Sequence, residues 1–162
     1  MNILCAIGLR DGPEVVRRVL GTTGADHDLY LLHVIDTGPR RVLEEFLHGP
    51  GMLHRPPVAS PGHERPIDEA ELAAGNAALE ETRQEAAQAG FRFQTELLHG
   101  KPEQLIIKMA QDWTCQLIAI QASQGTQGWP QIGPESVGHI ARFVLDHAAC
   151  DVLLLRQVDK SK

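Results

Sequence analysis

Five short apolar runs, each separated from the next by a segment with helical character, restrict this chain to very few folds. The runs are 3–9 (Ile3-Leu4-Cys5-Ala6-Ile7-Gly8-Leu9), 29–35 (Leu29-Tyr30-Leu31-Leu32-His33-Val34-Ile35), 91–98, 117–120 (Leu117-Ile118-Ala119-Ile120) and 151–156, from Asp151 to Arg156. They are continuous rather than alternating, as strands buried on both faces require, and only a parallel sheet covered by helices buries strands that way. Strand and helix in alternation give an α/β, doubly wound sheet with helices on both faces. Its crossovers are right-handed, and its ligands bind beyond the carboxyl ends of the strands.

The connecting segments carry recognisable start and stop signals. Gly12-Pro13 opens a helix bearing Val15, Val16 and Val19, with proline in a first turn where its missing N–H costs nothing. Gly21 and Gly24 are expected to close it. Asp68, with Glu71 three residues on, forms a capping box for a long Ala- and Glu-rich helix. Leu72 and Leu79 are expected on its inner face, and Gly90 supplies the left-handed stop. Pro102 starts a helix whose Leu105, Ile106, Met109, Ala110 and Trp113 share a face. Val137, Ile140, Ala141, Val144, Leu145 and Ala148 recur at helical spacing further on. Residues 42–47 suit a short helix, and 48–66, with five prolines, three glycines and three histidines, read as a mobile loop. Residues 157–162 form a tail, and the whole chain, 1–162, reads as one domain.

Composition narrows the function. The net charge is −6 with no basic stripe, which argues against nucleic acid and against anionic membrane surfaces as partners. The first residues lack the charged leader and apolar core of a signal peptide, and no run approaches the roughly 20 apolar residues of a bilayer span. A cytoplasmic protein is expected. Cys5, Cys115 and Cys150 are odd in number and lack C-x-x-C spacing, so buried reduced thiols are expected. His48, His54 and His63 share a loop without the rigid frame of a metal site and read as solvated. His147, in the last turn of a helix, suits the dipole there. His33, within the second strand, is expected to find a local hydrogen bond, and Trp113 to join the core; Trp129 lies in a glycine-rich loop and either covers a ligand or partner or is an ordinary exposed aromatic.

Three relatives of this architecture fail on particular residues. The third strand ends Leu97-Leu98-His99-Gly100, without the Asp of a phosphorelay receiver. Gly8-Leu9-Arg10-Asp11-Gly12 lacks both the hydroxyls of a flavodoxin phosphate loop and the Ser-Gly-Gly-x-Asp-Ser loop of an ATP pyrophosphatase. Three other stretches, 100–120, 144–156 and Leu31-Leu32-His33-Val34-Ile35-Asp36, together resemble the universal stress protein family. The first carries a G-x-P helix start followed by a strand similar to D-L-I-V-M; the second is similar to V-L-R-H-A-P-C-P-V-L-V-V-R. The resemblance runs from residue 2 to 156 and implies strand order 3-2-1-4-5. It also implies a homodimer joined through the fifth strand, whose apolar edge would otherwise be an aggregation hazard.

Many members of that family bind ATP through G-x-x-G, nine residues, then G-[ST]. Glycines let backbone N–H groups approach phosphates, and the following helix start complements negative charge. This chain has Gly125-x-x-Gly128, nine residues, then Gly138-His139. Resemblance places Ala6, Ile7, Gly8, Val34 and Ile120 around an adenine base, and Gly125, Gly128, Gly138, His139 and Ile140 near phosphates. The chain departs from the pattern at four positions. His139 replaces the hydroxyl; Gln121 and Gln124 stand where the first two glycines align from the fourth strand; Gly8 replaces an Asp. Arg10 is either a phosphate-gripping side chain or a solvated one. No catalytic residue stands out, so no turnover, or at most slow ATP hydrolysis, is expected. Two readings stay open: a dimeric stress-response module binding ATP or a related adenine nucleotide, and a protein-interaction module of the same fold that binds none.

Overall fold

The computed structural model describes residues 1–37, 66–122 and 137–156. The expected short helix at 42–47, nearly all of the 48–66 loop, Gln124, Gly125, Gly128, Trp129 and the tail lie outside them. In chain order the elements are β1 (Asn2–Ile7), α1 (Gly12–Thr23), β2 (Asp28–Asp36), α2 (Glu69–Gln88), β3 (Arg92–Gly100), α3 (Pro102–Asp112), β4 (Leu117–Gln121), α4 (His139–His147) and β5 (Asp151–Leu155). The five strands form one sheet in the order β3-β2-β1-β4-β5, every pair parallel. Register is fixed at the centre, where Cys5 lies between Leu31 of β2 and Ala119 of β4.

Alternation along the strands divides the core in two. Ile3, Cys5 and Ile7, with Leu29, Leu31 and Ala119, pack under α1 and α2 against Val15, Val16, Val19, Leu79 and Ala86. Leu4, Ala6, Leu32, Ile118 and Ile120 face α3 and α4, meeting Ile106, Ala110, Ala141 and Val144. Trp113, half-buried at the end of α3, stacks on Tyr30 with ring centroids 4.5 Å apart.

The helix boundaries follow their signals. Asp68 accepts from the Ala70 N–H and Glu71 reaches back to the Asp68 N–H, completing the capping box that opens α2. Gly90 takes φ +82°, and the Gly90 and Phe91 amides bond to the Ala87 and Ala86 carbonyls, a Schellman closure of α2. Gly21 does not close α1 but lies inside it; Gly24, at φ +80°, ends the helix.

Two apolar expectations are overturned. Leu72 is 38% exposed and Leu145 is 42% exposed. The buried face of α2 is Gly75, Ala78, Leu79, Thr82 and Ala86, which turns Leu72 outward. In α4 the buried positions are Ala141 and Val144, and Leu145 follows Val144 onto the outer side. The thiols differ as well: all three are free, but Cys150 is only half-buried while Cys5 and Cys115 are buried. Burial pushes the Cys5 thiol up to about 12 and the Cys115 thiol to about 11. No helix among the described residues is long and apolar enough to cross a membrane.

Candidate functional site

The carboxyl ends of β1 and β4, the two central strands between which the chain reverses direction across the sheet, converge with the start of α4. Ala6, Ile120 and the half-buried Val34 and Ile140 pack in one cluster on the α3/α4 face. The structure therefore brings together four of the residues expected around a base and its neighbouring helix. Ile7 is different, because alternation places it in the opposite cluster beneath α1 and α2. Gly138 precedes α4 at φ +82° and ψ 159°, and among the described residues no side chain caps the helix there. Its left-handed backbone is the reason a glycine stands at this position.

His139 begins α4 and is exposed, with Nε2 3.9 Å from Glu103 Oε1 in the first turn of α3. Glu103 itself is largely covered, its side chain 17% exposed. The sequence reading missed this carboxylate. Only the juxtaposition of two helix starts, which no spacing encodes, reveals it.

At the end of β1 the loop closes on itself. The Asp11 carboxylate accepts from the Gly8 N–H at 2.6 Å instead of turning forward to cap α1. Burial raises the Asp11 pKa, while the hydrogen bond from the Gly8 amide opposes the rise. A Cβ on Gly8 would lie 3.0 Å from Asp11 Oδ1, so Asp11 occupies the space in front of residue 8. This accounts for a glycine where the resemblance expects an aspartate: a second carboxylate there would meet the first. Beneath it, the buried His33 bonds through Nδ1 to the Ile7 carbonyl at 2.8 Å. The bond expected for His33 exists, but it is not local in sequence: it ties β2 to the end of β1.

Among the described residues, two buried oxygens at this carboxyl edge find no partner: Thr37 Oγ1, just beyond β2, and Gln121 Oε1, the last residue of β4. Gln121 stands where the resemblance expects a glycine. No group of three or more His, Cys, Asp or Glu side chains able to hold a metal occurs among the described residues.

A family model, that of the Universal stress protein family, matches residues 52–156. The chain belongs to this family. Solved structures agree in fold. Universal stress protein UspA from Lactobacillus plantarum is 22% identical, with 96% of this chain and 97% of that one covered and a TM-score of 0.66. A universal stress protein from Archaeoglobus fulgidus, in complex with dAMP, is 16% identical over 95% of this chain and 96% of that one, with a TM-score of 0.60. A family protein from Arabidopsis thaliana with AMP bound is 14% identical over 98% and 92%, with a TM-score of 0.61. No curated protein matches the sequence. The strand order is that of the universal stress protein fold.

Proposed function

We propose that the chain is a cytoplasmic, dimeric stress-response module that binds an adenine nucleotide at the carboxyl edge of β1 and β4. The observation that carries this reading is the meeting of an apolar cluster (Ala6, Val34, Ile120, Ile140) with an uncapped helix start at Gly138. Such a start presents unpaired N–H groups to a phosphate, and the apolar cluster offers a surface to a base. The complexes of family members with AMP and dAMP support the same ligand class. The reading assigns no turnover beyond, at most, slow ATP hydrolysis.

Denaturing freshly purified protein and identifying adenine nucleotide in the supernatant tests it directly. Gly138→Val is expected to weaken ATP binding at least ~100-fold, about 2.7 kcal/mol, because the branched side chain lies where phosphate approaches. Valine is strained at φ +82°, so circular dichroism must accompany the titration. His139→Ser is a second arm without that strain: it restores the family's hydroxyl and is expected to bind at least as tightly as the native chain. Equal, weak affinity in all three proteins would remove the site. A second reading, an interaction module without nucleotide, draws on the Gly8 N–H, which Asp11 already occupies.

The dimer in this proposal forms through β5. Among the described residues that strand pairs only with β4, and Val152, Leu153 and Leu154 along it are half-buried. A second copy about a two-fold axis would satisfy the open edge. Sedimentation at micromolar concentration is expected to show a dimer, and Leu154→Pro, which removes a ladder hydrogen bond, a monomer. A native chain that sediments as a monomer would defeat the arrangement.

A further inference from the structure

At the opposite end of the sheet from the candidate site, a small cavity of about 100 Å³ opens between the C-terminal ends of α3 and α4. Ile107, Ala110, Ile118 and Ala148 give it an apolar wall, and two cysteines, Cys115 and Cys150, line it together. Each precedes a strand, Cys115 before β4 and Cys150 before β5. The strands are in register with Leu117 beside Asp151, and the Asp151 N–H bonds to the Gln116 carbonyl at 3.2 Å. Continuing that register puts Cys150 beside Gln116 and one residue diagonal to Cys115. Cys115 and Cys150 thus sit at the entrances of two neighbouring strands. Cys115 lies in the turn between α3 and β4, where its N–H bonds to the Ala110 carbonyl, and it packs in the α3/α4 side of the core; Cys150 packs against the same cluster, so both line one cavity.

We propose that Cys115 and Cys150 are a reversible dithiol–disulfide pair, oxidised by exchange with a low-molecular-weight disulfide. Cys150, half-buried, is the entry thiol; Cys115 is buried behind it. The Cys150 thiol loses its proton to solvent, and its sulfur attacks one sulfur of the small disulfide. A mixed disulfide forms, and one small thiolate leaves. The Cys115 thiol then loses its proton and attacks Cys150 Sγ, forming the Cys115–Cys150 bond and releasing the second small thiolate. The two released thiolates take up the two protons, so two protein thiols are oxidised and one small disulfide is reduced to two thiols. The cavity gives both sulfurs room to turn toward each other, which a close-packed interior would deny. Burial raises both thiols, with the neighbouring Asp151 also raising Cys150. The exchange is therefore slow at neutral pH and quickens as pH rises. Cys5 takes no part, being fully buried in the other half of the core.

The new bond would tie the entrances of β4 and β5 together and close a ring of chain carrying all of β4 and α4. Incubating the full chain with oxidised glutathione at alkaline pH tests the pair. The expected product is a monomeric polypeptide lighter by two hydrogens, with Cys115 and Cys150 peptides joined on mapping under non-reducing conditions and separated by reductant. Its thermal midpoint is expected to rise by about 5–10 °C. In Cys115→Ser the reaction is expected to stop at glutathione held on Cys150. A native chain that also stops there, a bond mapped to Cys5, or a covalent dimer through Cys150 would each overturn the proposal.

Discussion

An alanine at Gly12 is expected to lower the stability of the fold by about 2–3 kcal/mol, the usual cost of forcing extra atoms into a packed contact. A Cβ there would fall well inside contact distance of Thr82 Oγ1 and would lie 2.9 Å from Ile7 Cγ2. Thr82 cannot simply swing aside, because it is fully buried and its hydroxyl donates to the Ala78 carbonyl at 2.6 Å. The effect is expected even though alanine suits a helix better than glycine, an advantage of at most ~1 kcal/mol. Denaturant unfolding of Gly12→Ala, Thr82→Ala and the double variant checks the origin of the loss. The double variant is expected to be more stable than the sum of the single losses by about 1 kcal/mol, since contacting positions do not add. A Gly12→Ala protein within ~0.5 kcal/mol of the native chain would show that α1 does not meet α2 this closely.

His33→Leu is expected to cost about 2 kcal/mol, within the range for losing a buried hydrogen-bond partner. The imidazole Nδ1 holds the Ile7 carbonyl at the carboxyl end of β1, and its far edge packs against Gly75, where a Cβ would sit 2.9 Å from the ring. His33→Asn keeps a donor near the Nδ1 position, so it is expected to recover part of the loss. Equal losses in the two variants, read by denaturant unfolding, would mean that ring volume matters and the hydrogen bond does not.

These two contacts mark where legibility in the sequence ended. The sheet order, the capping box at Asp68 and Glu71 and the stop at Gly90 were readable, because each rests on local chemistry or on apolar runs. The inner face of α2 was not. It is built from Gly75, Ala78, Leu79, Thr82 and Ala86, and four small residues produce almost no hydropathy signal, so Leu72 drew attention to the wrong side. Leu145 misled in the opposite way, as an apolar residue one step beyond a narrow buried stripe. At the candidate site, Ala6, Val34, Ile120 and Ile140 pack in one cluster, whereas Ile7 falls on the other face because successive strand residues alternate. Gly125 and Gly128 lie outside the described residues. Asp11 and Glu103 were overlooked because their roles depend on where a loop turns and where two helices start, not on spacing.

The two helical layers differ in how they would answer compression. On the α1/α2 side, glycines at 12 and 75 leave no room for even a methyl group. On the α3/α4 side a cavity of about 100 Å³ persists beside Cys115 and Cys150. Hydrostatic pressure favours states that eliminate internal voids. It therefore acts on the half of the molecule that carries β4, β5 and the helix start at Gly138, and would loosen that half while the glycine-seamed layer still holds.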